Sequence, residues 1–122
     1  MILYDFALAP SPRRTRILLA EKGIAVTNVQ VDLTKGEQLS PAFRAINPCC
    51  TVPALQLEDG TVLNQNVAIA LYLEDTHPEP PMFGTTAVER AVVMNWNARI
   101  EFEGLMAVAE VLRNRSKAMQ GR

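Results

Sequence analysis

The sequence predicts an α/β fold followed by a helical segment, and three observations support this class. In the first third of the 122 residues, short apolar runs alternate with a helical pattern, which is the order of a parallel βαβ unit. The hairpin signal Asp59-Gly60 then joins two further apolar runs. Finally, Thr86–Glu89 form a capping box that begins a long apolar helical pattern.

The first predicted strand is the apolar run Ile2–Tyr4. Ser11-Pro12 predicts the start of the first helix, because serine favours the N-cap and proline favours the first helical position. Gly23 ends that helix as a left-handed C-cap. In the stretch 29–33 apolar and polar residues alternate, which predicts a second strand with one buried face. Since one helix connects the two strands, we expect them to be parallel.

A second short helix and a hairpin follow. Ser40-Pro41 repeats the helix-start signal, and Asn47-Pro48 ends the helix. Val52 to Glu58 and Thr61 to Leu63 are the predicted strands of the hairpin. These two strands are therefore expected to be antiparallel.

Asn64 to Asn66 lead into a third predicted helix, with Asn64 or Asn66 as its expected N-cap. The proline-rich stretch 77–81 ends this helix and is typical of a linker. The helical pattern that follows is too long and too apolar to be stable without partners. Gly104 within it marks either a bend or a close packing point. The predicted domains are 1–77, a linker at 78–85, and the start of a helical domain at 86–122.

The composition is typical of a globular protein, with 48% hydrophobic and 20% charged residues. The formal net charge of -1 favours neither a nucleic acid nor an anionic membrane as a partner. No apolar run is long enough to span a bilayer. Asp5 interrupts the apolar start and no basic residue precedes it, so a signal peptide is not expected.

Cysteine and histidine usage limits the chemistry. Cys49 and Cys50 are the only cysteines, and adjacent cysteines rarely bond to each other, so we expect reduced thiols and a cytoplasmic location. His77 is the only histidine, and without a cluster of Cys, His and carboxylates no metal site is expected. Cys49 is interpreted as an inert thiol, whereas an inert and a redox-reactive interpretation of Cys50 both remain open.

Val52-Pro53 stands at the beginning of the third predicted strand. Proline lacks an N–H group, so it belongs at the first residue of a strand or on an edge. Two interpretations are open at this point. The proline either simply begins the strand, or it holds a special, cis geometry that leaves a neighbouring amide free for a ligand.

The order of elements, together with a dense set of local motifs, resembles the thioredoxin-like domain of glutathione S-transferases. The motifs are Ser11-Pro12-Arg13-Arg14-Thr15-Arg16, Ala20-Glu21-Lys22-Gly23-Ile24, Gly36-Glu37-Gln38-Leu39-Ser40-Pro41, Asn47-Pro48, Thr51-Val52-Pro53-Ala54-Leu55, Asp59-Gly60-Thr61-Val62-Leu63, Ala68-Ile69 before Tyr72-Leu73, and Pro78-Glu79-Pro80-Pro81. They cover nearly all of residues 1–83. The long helix that follows resembles the first helix of the family's second, all-helical domain.

The resemblance implies a thioredoxin-like βαβαββα fold followed by the first part of an all-α domain. It also implies a cytosolic homodimer that binds glutathione beside a cis proline at Pro53 and a small apolar electrophile as second substrate. A member of this family continues through several more helices, so the chain is expected to be truncated.

The resemblance further implies a site with three parts. Little thiolate forms at neutral pH because a free thiol has a pKa of about 8.5, and Ser11 is the expected catalytic hydroxyl that stabilises the thiolate at a helix start. Val52 is expected to present its backbone to the tripeptide beside Pro53, like an added strand. Gln65 and Asn66 begin the third helix and are expected to bind the γ-glutamyl carboxylate.

Departures from the family pattern qualify this site. Ala9 stands where many members have a catalytic Ser or Cys, so the hydroxyl has to come from elsewhere. Cys50 stands where a glycine is frequent. Thr51 stands where many members hold the glycyl carboxylate with a basic residue, and Gln38 or Arg13 are the candidates to compensate.

Three functions follow, in order of preference. The first is an enzyme that conjugates glutathione to small apolar electrophiles. The second is a glutathione-binding module with little or no catalysis, which Ala9 and the short helical region favour. The third is a glutathione-dependent thiol reductase that uses Cys50, although the Cys-x-x-Cys motif of thioredoxin-type exchange is absent.

Overall fold

The computed structural model describes residues 1–115 and divides the chain into two compact units, Met1–Pro80 and Pro81–Arg122. The end of the predicted helical domain, 116–122, lies outside the described residues. The boundary between the units falls inside the stretch 78–85, which the sequence predicts as a linker. Within the described range, no helix combines the length and the apolar character that crossing a bilayer requires.

The first unit contains a mixed sheet, and all of its residues are described. The strands are β1 (Ile2–Asp5), β2 (Thr27–Gln30), β3 (Ala54–Gln56) and β4 (Val62–Leu63). Their spatial order is β2-β1-β3-β4. β1 is parallel to β2 and antiparallel to β3, which pairs antiparallel with β4. The sheet confirms both the predicted parallel βαβ unit and the predicted hairpin.

The helices of this unit follow the predicted order. They are α1 (Pro10–Glu21), α2 (Pro41–Ile46) and α3 (Asn66–Thr76), with a 3-10 turn (Glu37–Leu39) before α2. Ser40 caps α2 as predicted, since its hydroxyl oxygen accepts from the N–H of Phe43 at 3.2 Å. Asn47 ends α2 and His77 ends α3, which also agrees with the sequence.

The predicted N-caps of α1 and α3 are wrong. The N-cap of α1 is Ala9 and that of α3 is Gln65, and neither side chain forms a capping hydrogen bond. The expected capping groups bond across the fold instead. The Asn66 amide donates to the Ser11 hydroxyl, and the Asn64 amide donates to a buried side chain. These tertiary hydrogen bonds replace the local ones because the two helix starts lie side by side.

The second strand ends earlier than the alternating stretch 29–33 predicts. A turn begins at Asp32, whose backbone N–H donates to the Glu37 carboxylate at 2.7 Å. Val31 is nevertheless buried. The residues of β2 itself, including Val29, are exposed, so the predicted buried face is wrong within this edge strand, and Val31 just beyond it is the residue that is buried. β3 is likewise limited to 3 residues, fewer than predicted.

Apolar clusters cover both faces of the sheet. The first has the buried members Leu3, Leu19, Leu55, Ile69 and Leu73, and it joins the sheet to α1 and α3. The second has Val31, Phe43 and Val52, and it joins the sheet to α2. Because successive side chains of a strand point to opposite faces, Leu3 enters the first cluster and Tyr4 packs against the second. This layering brings the starts of α1 and α3 together.

A buried ion pair fixes the end of the first unit. The Lys22 side chain is 0% exposed, and its Nζ lies 2.6 Å from the Glu74 carboxylate. The same ammonium donates to the carbonyl oxygens of His77 at 2.7 Å and Pro80 at 2.9 Å. One cation at the C-terminal end of α1 thus holds the end of α3 and the segment after it.

The described part of the second unit is mainly helical. It contains α4 (Ala87–Arg99), a π-helical turn (Ile100–Leu105) and α5 (Met106–Arg115). The predicted capping box is confirmed. The Thr86 hydroxyl accepts from the N–H of Glu89 at 3.1 Å, and the Glu89 carboxylate accepts from the N–H of Thr86 at 3.0 Å. Hydrogen bonds from the backbone N–H groups of Thr85 and Thr86 lower the pKa of Glu89.

Gly104 lies in the π-helical turn. A Cβ added there would meet no described neighbour within 4 Å, so Gly104 is not a close packing point in the described range. Large apolar side chains on these helices are exposed, among them Val92, Trp96, Ile100, Phe102 and Val108. Their exposure agrees with the prediction that this segment needs a covering surface.

Candidate functional site

A hydrogen-bonded chain of side chains connects the starts of α1 and α3. The Thr15 hydroxyl donates to Asn66 Oδ1 at 2.9 Å. The Asn66 Nδ2 group in turn donates to Ser11 Oγ at 2.8 Å. Because Ser11 accepts in this contact, its own hydroxyl proton is left for another acceptor. The structure thus brings together Ser11 and Asn66, two of the predicted site residues.

Gln65 immediately precedes α3 and has an exposed side chain. The first amides of a helix have no partner within the helix and carry partial positive charge. The side chain of Gln65 forms no capping hydrogen bond with these amides. This helix start therefore offers backbone and side-chain donors to an anionic group.

The loop before β3 is built around Asn47, which is 0% exposed. Its Nδ2 group donates to the backbone oxygen of Thr51 at 2.8 Å. Its Oδ1 accepts from the N–H of Cys49 at 3.1 Å and from the Asn64 amide at 2.9 Å. One buried amide thus ties the loop both to itself and to Asn64, two residues before the start of α3.

The peptide bond between Val52 and Pro53 is cis, so the second of the two interpretations is the one observed. Pro53 is buried. Among the described residues, none bonds to the backbone N–H or C=O of Val52. Both backbone groups are therefore available to an added peptide segment.

Cys50 has a left-handed backbone with φ 55, alone among the described residues other than glycine. This conformation costs an L-residue roughly 1–2 kcal/mol, whereas glycine adopts it freely. The Cys50 thiol has only a long contact of 3.5 Å to the Pro48 carbonyl oxygen. Both cysteines are free.

We expect Cys50→Gly to raise the free energy of unfolding by up to about 1 kcal/mol, because relief of the left-handed strain exceeds the entropic cost of a glycine. Cys49→Gly is the matched control, since Cys49 has no positive φ, and it should lower the same quantity. Chemical denaturation monitored by circular dichroism measures both. A loss of stability in Cys50→Gly equal to that in Cys49→Gly would contradict the argument.

Three predicted site residues remain, namely Thr51, Arg13 and Gln38. Of these, only Thr51 has a side-chain contact with the Asn47 amide. Thr51 is exposed, and its hydroxyl contacts the Asn47 amide at 3.4 Å. Arg13 is exposed on α1 and bonds to none of the described residues. Gln38 is only 3% exposed, and its buried Oε1 has no hydrogen-bond partner among the described residues.

A buried carboxylate that sequence reasoning missed supports the loop before α1. Asp5 lies at the end of β1 and pairs with the Arg16 guanidinium at 2.5 Å. Arg16 also donates to the carbonyl oxygen of Ala7 at 3.0 Å, and the N–H of Ala7 donates to Gln30 at 2.9 Å. A buried carboxylate needs such partners. An aspartate inside an otherwise apolar strand is the sequence signal that could have indicated this network.

The described part of the chain holds no group of three His, Cys, Asp or Glu side chains arranged for a metal ion. Its mixed sheet, its flanking helices and the cis proline define a thioredoxin-like domain. Residues 9–76 match the sequence profile of the family described as "Glutathione S-transferase, N-terminal domain". The chain belongs to the glutathione S-transferase family.

Known relatives agree with this assignment. The chain is similar to Glutathione S-transferase 2 of Saccharomyces cerevisiae, with 40% identity over 111 residues, covering 89% of this chain and 48% of that protein. It is also similar to the maleylacetoacetate isomerase of Pseudomonas aeruginosa, with 40% identity over 93 residues, covering 75% of this chain and 44% of that protein. The chain therefore spans about half the length of the curated relatives it matches.

A solved structure shows the same fold. The crystal structure of a glutathione S-transferase domain-containing protein from Marinobacter aquaeolei VT8 matches with a TM-score of 0.91 and 40% identity. The match covers 98% of this chain and 59% of that chain. It confirms the predicted thioredoxin-like fold class.

Proposed function

We propose that this chain forms the glutathione site of a glutathione transferase. The observation that carries the proposal is the contact between Asn66 on α3 and Ser11 on α1, which leaves the Ser11 proton free at the start of a helix. A thiolate is stabilised by such a hydroxyl donor and by the positive end of the helix dipole. Ser11 is the catalytic residue of this proposal, in place of the family's Ser or Cys at Ala9.

The tripeptide would be held at both of its ends and at its centre. The free backbone groups of Val52 beside Pro53 suit its central residue. The start of α3, with Gln65 and Asn66, suits the γ-glutamyl carboxylate, and Asn66 Nδ2 keeps a second hydrogen for this purpose.

For the glycyl carboxylate we propose Thr51, aided by Gln38 or Arg13. The Thr51 hydroxyl is exposed beside the ordered loop. Gln38 carries a side-chain amide whose Nε2 is a donor and whose buried Oε1 has no partner among the described residues, and Arg13 carries an unengaged guanidinium in the same range. Each can donate to a carboxylate.

The proposed reaction is attack of the thiolate on a small apolar electrophile. With an activated aryl chloride, the sulfur forms a C–S bond, the C–Cl bond breaks, chloride leaves, and the thiol proton passes to solvent. The proposal includes a cytoplasmic homodimer, a glutathione-binding domain at 1–77, a linker at 78–85 and a helical domain from residue 86. The compact first unit supports this division.

A second candidate is glutathione-dependent isomerisation, which the similarity to a maleylacetoacetate isomerase favours. In that reaction glutathione would be regenerated rather than consumed. Measuring the free thiol while the protein turns over maleylacetoacetate distinguishes the two functions. Constant thiol with isomerised product favours the isomerase, and stoichiometric loss of thiol favours the transferase.

The test of the transferase uses turnover of glutathione with chlorodinitrobenzene by the whole protein. A hydrogen bond to a charged group contributes about 1.5–3 kcal/mol. Ser11→Ala should therefore raise the pKa of the bound glutathione thiol and lower turnover at pH 7 by about 10–100-fold. Thr61→Ala, which removes an exposed hydroxyl in the hairpin turn, is the control and should leave turnover unchanged.

Binding is tested separately by calorimetric titration with glutathione. Gln65→Ala should weaken binding by about tenfold because a donor to the γ-glutamyl carboxylate is lost. Unchanged binding in Gln65→Ala would refute the assignment of the carboxylate to the start of α3. Turnover that is unchanged in Ser11→Ala would remove Ser11 from the mechanism.

A further inference from the structure

We propose that Gln30 is a positioning residue, which fixes the loop at 6–9 and thereby the start of α1 against the glutathione sulfur. The inference rests on the proposed function, which directs this helix start at the sulfur. Gln30 lies on the edge strand β2 and takes no part in the proposed contacts with glutathione. The starting observation is that its Oε1 accepts from the backbone N–H of Ala7 at 2.9 Å.

Ala7 is held on both sides by side chains that share one carboxylate. Gln30 holds the Ala7 N–H with Oε1 and donates from Nε2 to Asp5 Oδ2 at 3.3 Å. The Arg16 guanidinium lies 2.5 Å from Asp5 Oδ1 and donates to the Ala7 carbonyl oxygen at 3.0 Å. These four residues form a closed ring of hydrogen bonds, and its anchor, Asp5, is only 1% exposed.

The direction of the Gln30 amide follows from its partners. A backbone N–H group only donates, and an ionised carboxylate only accepts. Reversal of the amide would therefore place two donors together at Ala7 and two acceptors together at Asp5. The second hydrogen of Nε2 reaches Asn28 Oδ1 at 2.7 Å, and Asn28 Nδ2 donates to the same carboxylate at 3.1 Å. Each amide thus has one arrangement that satisfies all of its partners.

Hydrogen-bond satisfaction alone does not require this ring. Ala7 and Leu8 are exposed, so water can reach the backbone groups of the loop. Burial of the Asp5 carboxylate is costly, and replacing such a buried ion pair by apolar residues is often neutral or stabilising. The chain nevertheless uses a buried carboxylate to hold a surface loop in one conformation. We therefore look for its purpose in what the loop positions.

The loop leads directly into α1. The Ala9 N–H donates to the Phe6 carbonyl oxygen at 2.9 Å, which closes a turn immediately before the helix. Ala9 is the N-cap of α1, and Ser11 lies in the first turn. The Ser11 hydroxyl and the positive end of the helix both depend on how this loop delivers the chain to α1. A displacement of about 1 Å at a reacting site can lower a rate by roughly 100-fold.

The experiment compares two variants of β2, each of which replaces an amide by an apolar side chain of similar size. Gln30→Met removes the contact with Ala7, whereas Asn28→Leu removes a donor to the same carboxylate and leaves Ala7 held. Both should lower the midpoint of chemical denaturation, since Asp5 loses a donor in each. Turnover of chlorodinitrobenzene at saturating glutathione should fall by about tenfold in Gln30→Met and stay within about twofold in Asn28→Leu.

Affinity and hydrogen exchange show where the loss arises. Glutathione affinity, measured by calorimetric titration, should stay within about threefold in Gln30→Met, because the contacts proposed for Val52 and Gln65 are unchanged. Amide hydrogen exchange at residues 6–9 should become at least about tenfold faster in Gln30→Met and not in Asn28→Leu. Gln30→Ala provides the same comparisons where Gln30→Met gives no folded protein.

The outcomes separate this inference from the proposed function. Equal losses of turnover in Gln30→Met and Asn28→Leu would show a merely structural effect and overturn the inference, as would slow turnover with unchanged exchange at 6–9. Normal turnover in Gln30→Met, together with slow turnover in Ser11→Ala, would overturn the role of Gln30 and keep the proposed function. Absence of turnover in the wild-type protein would overturn the proposed function and this inference with it.

Discussion

Replacing Lys22 by methionine is expected to lower the free energy of unfolding by about 3–5 kcal/mol. The Lys22 ammonium is fully buried against the Glu74 carboxylate and donates to two carbonyl oxygens. Methionine preserves much of the side-chain volume and removes the charge. It leaves a buried carboxylate without its cation, and an uncompensated buried charge is strongly unfavourable.

Chemical denaturation measures this loss of stability. Two further variants test whether the uncompensated buried charge causes it. Lys35→Met breaks an ion pair with Asp32 whose lysine is 73% exposed. It should change stability by less than about 1 kcal/mol, because solvent screens exposed pairs. Lys22→Met/Glu74→Met removes both buried charges and should recover much of the loss. A cost in Lys22→Met no larger than that in Lys35→Met would refute the buried ion pair.

Replacing Asn47 by alanine is expected to cost about 2–4 kcal/mol, because several buried hydrogen bonds of roughly 1 kcal/mol each are lost and their partners remain. The Asn47 amide bonds to the backbone of Cys49 and Thr51 and to the side chain of Asn64. The loop it holds leads directly to Val52. Asn47→Ala should therefore also weaken glutathione binding, by about tenfold or more.

Two measurements test this prediction. Chemical denaturation gives the change in stability, and calorimetric titration with glutathione gives the change in affinity. Asn64→Ala is the matched control, since it removes one of the bonds to Asn47 and leaves the loop's own hydrogen bonds intact. It should cost about 1 kcal/mol. Equal effects of the two substitutions would show that the loop does not depend on the Asn47 amide.

Helix signals that act over a single turn were predicted correctly from the sequence. Ser40 needs only the N–H of Phe43, and Thr86 needs only Glu89, so both caps are specified by residues three positions away. The same signal at Ser11 gave a wrong prediction. Its hydroxyl is engaged by Asn66, which is 55 residues distant in sequence. A local pattern contains no information about such a competitor.

The features of the candidate site also fall into those that the sequence predicted and those that it did not. The residues at Val52-Pro53 left two interpretations open, and the cis geometry that the structure has was implied only by the family resemblance. The left-handed backbone of Cys50 was not predicted, although Cys50 was noted to stand where the family often has glycine. Gln65 and Asn66 were placed at a helix start by the apolar pattern after them. The hydrogen bond from Thr15 could not be predicted, because threonine inside a helix usually has a local partner.

By itself, the sequence determined the order and type of the elements, the parallel unit, the hairpin and the two local caps. All of these depend on periodicity and on neighbours within a few residues. Only the tertiary structure decided which polar side chains meet, as with Asp5 and Arg16, Lys22 and Glu74, or Asn66 and Ser11. Burial requires that such groups be paired, but the partner is chosen by how the sheet and helices pack.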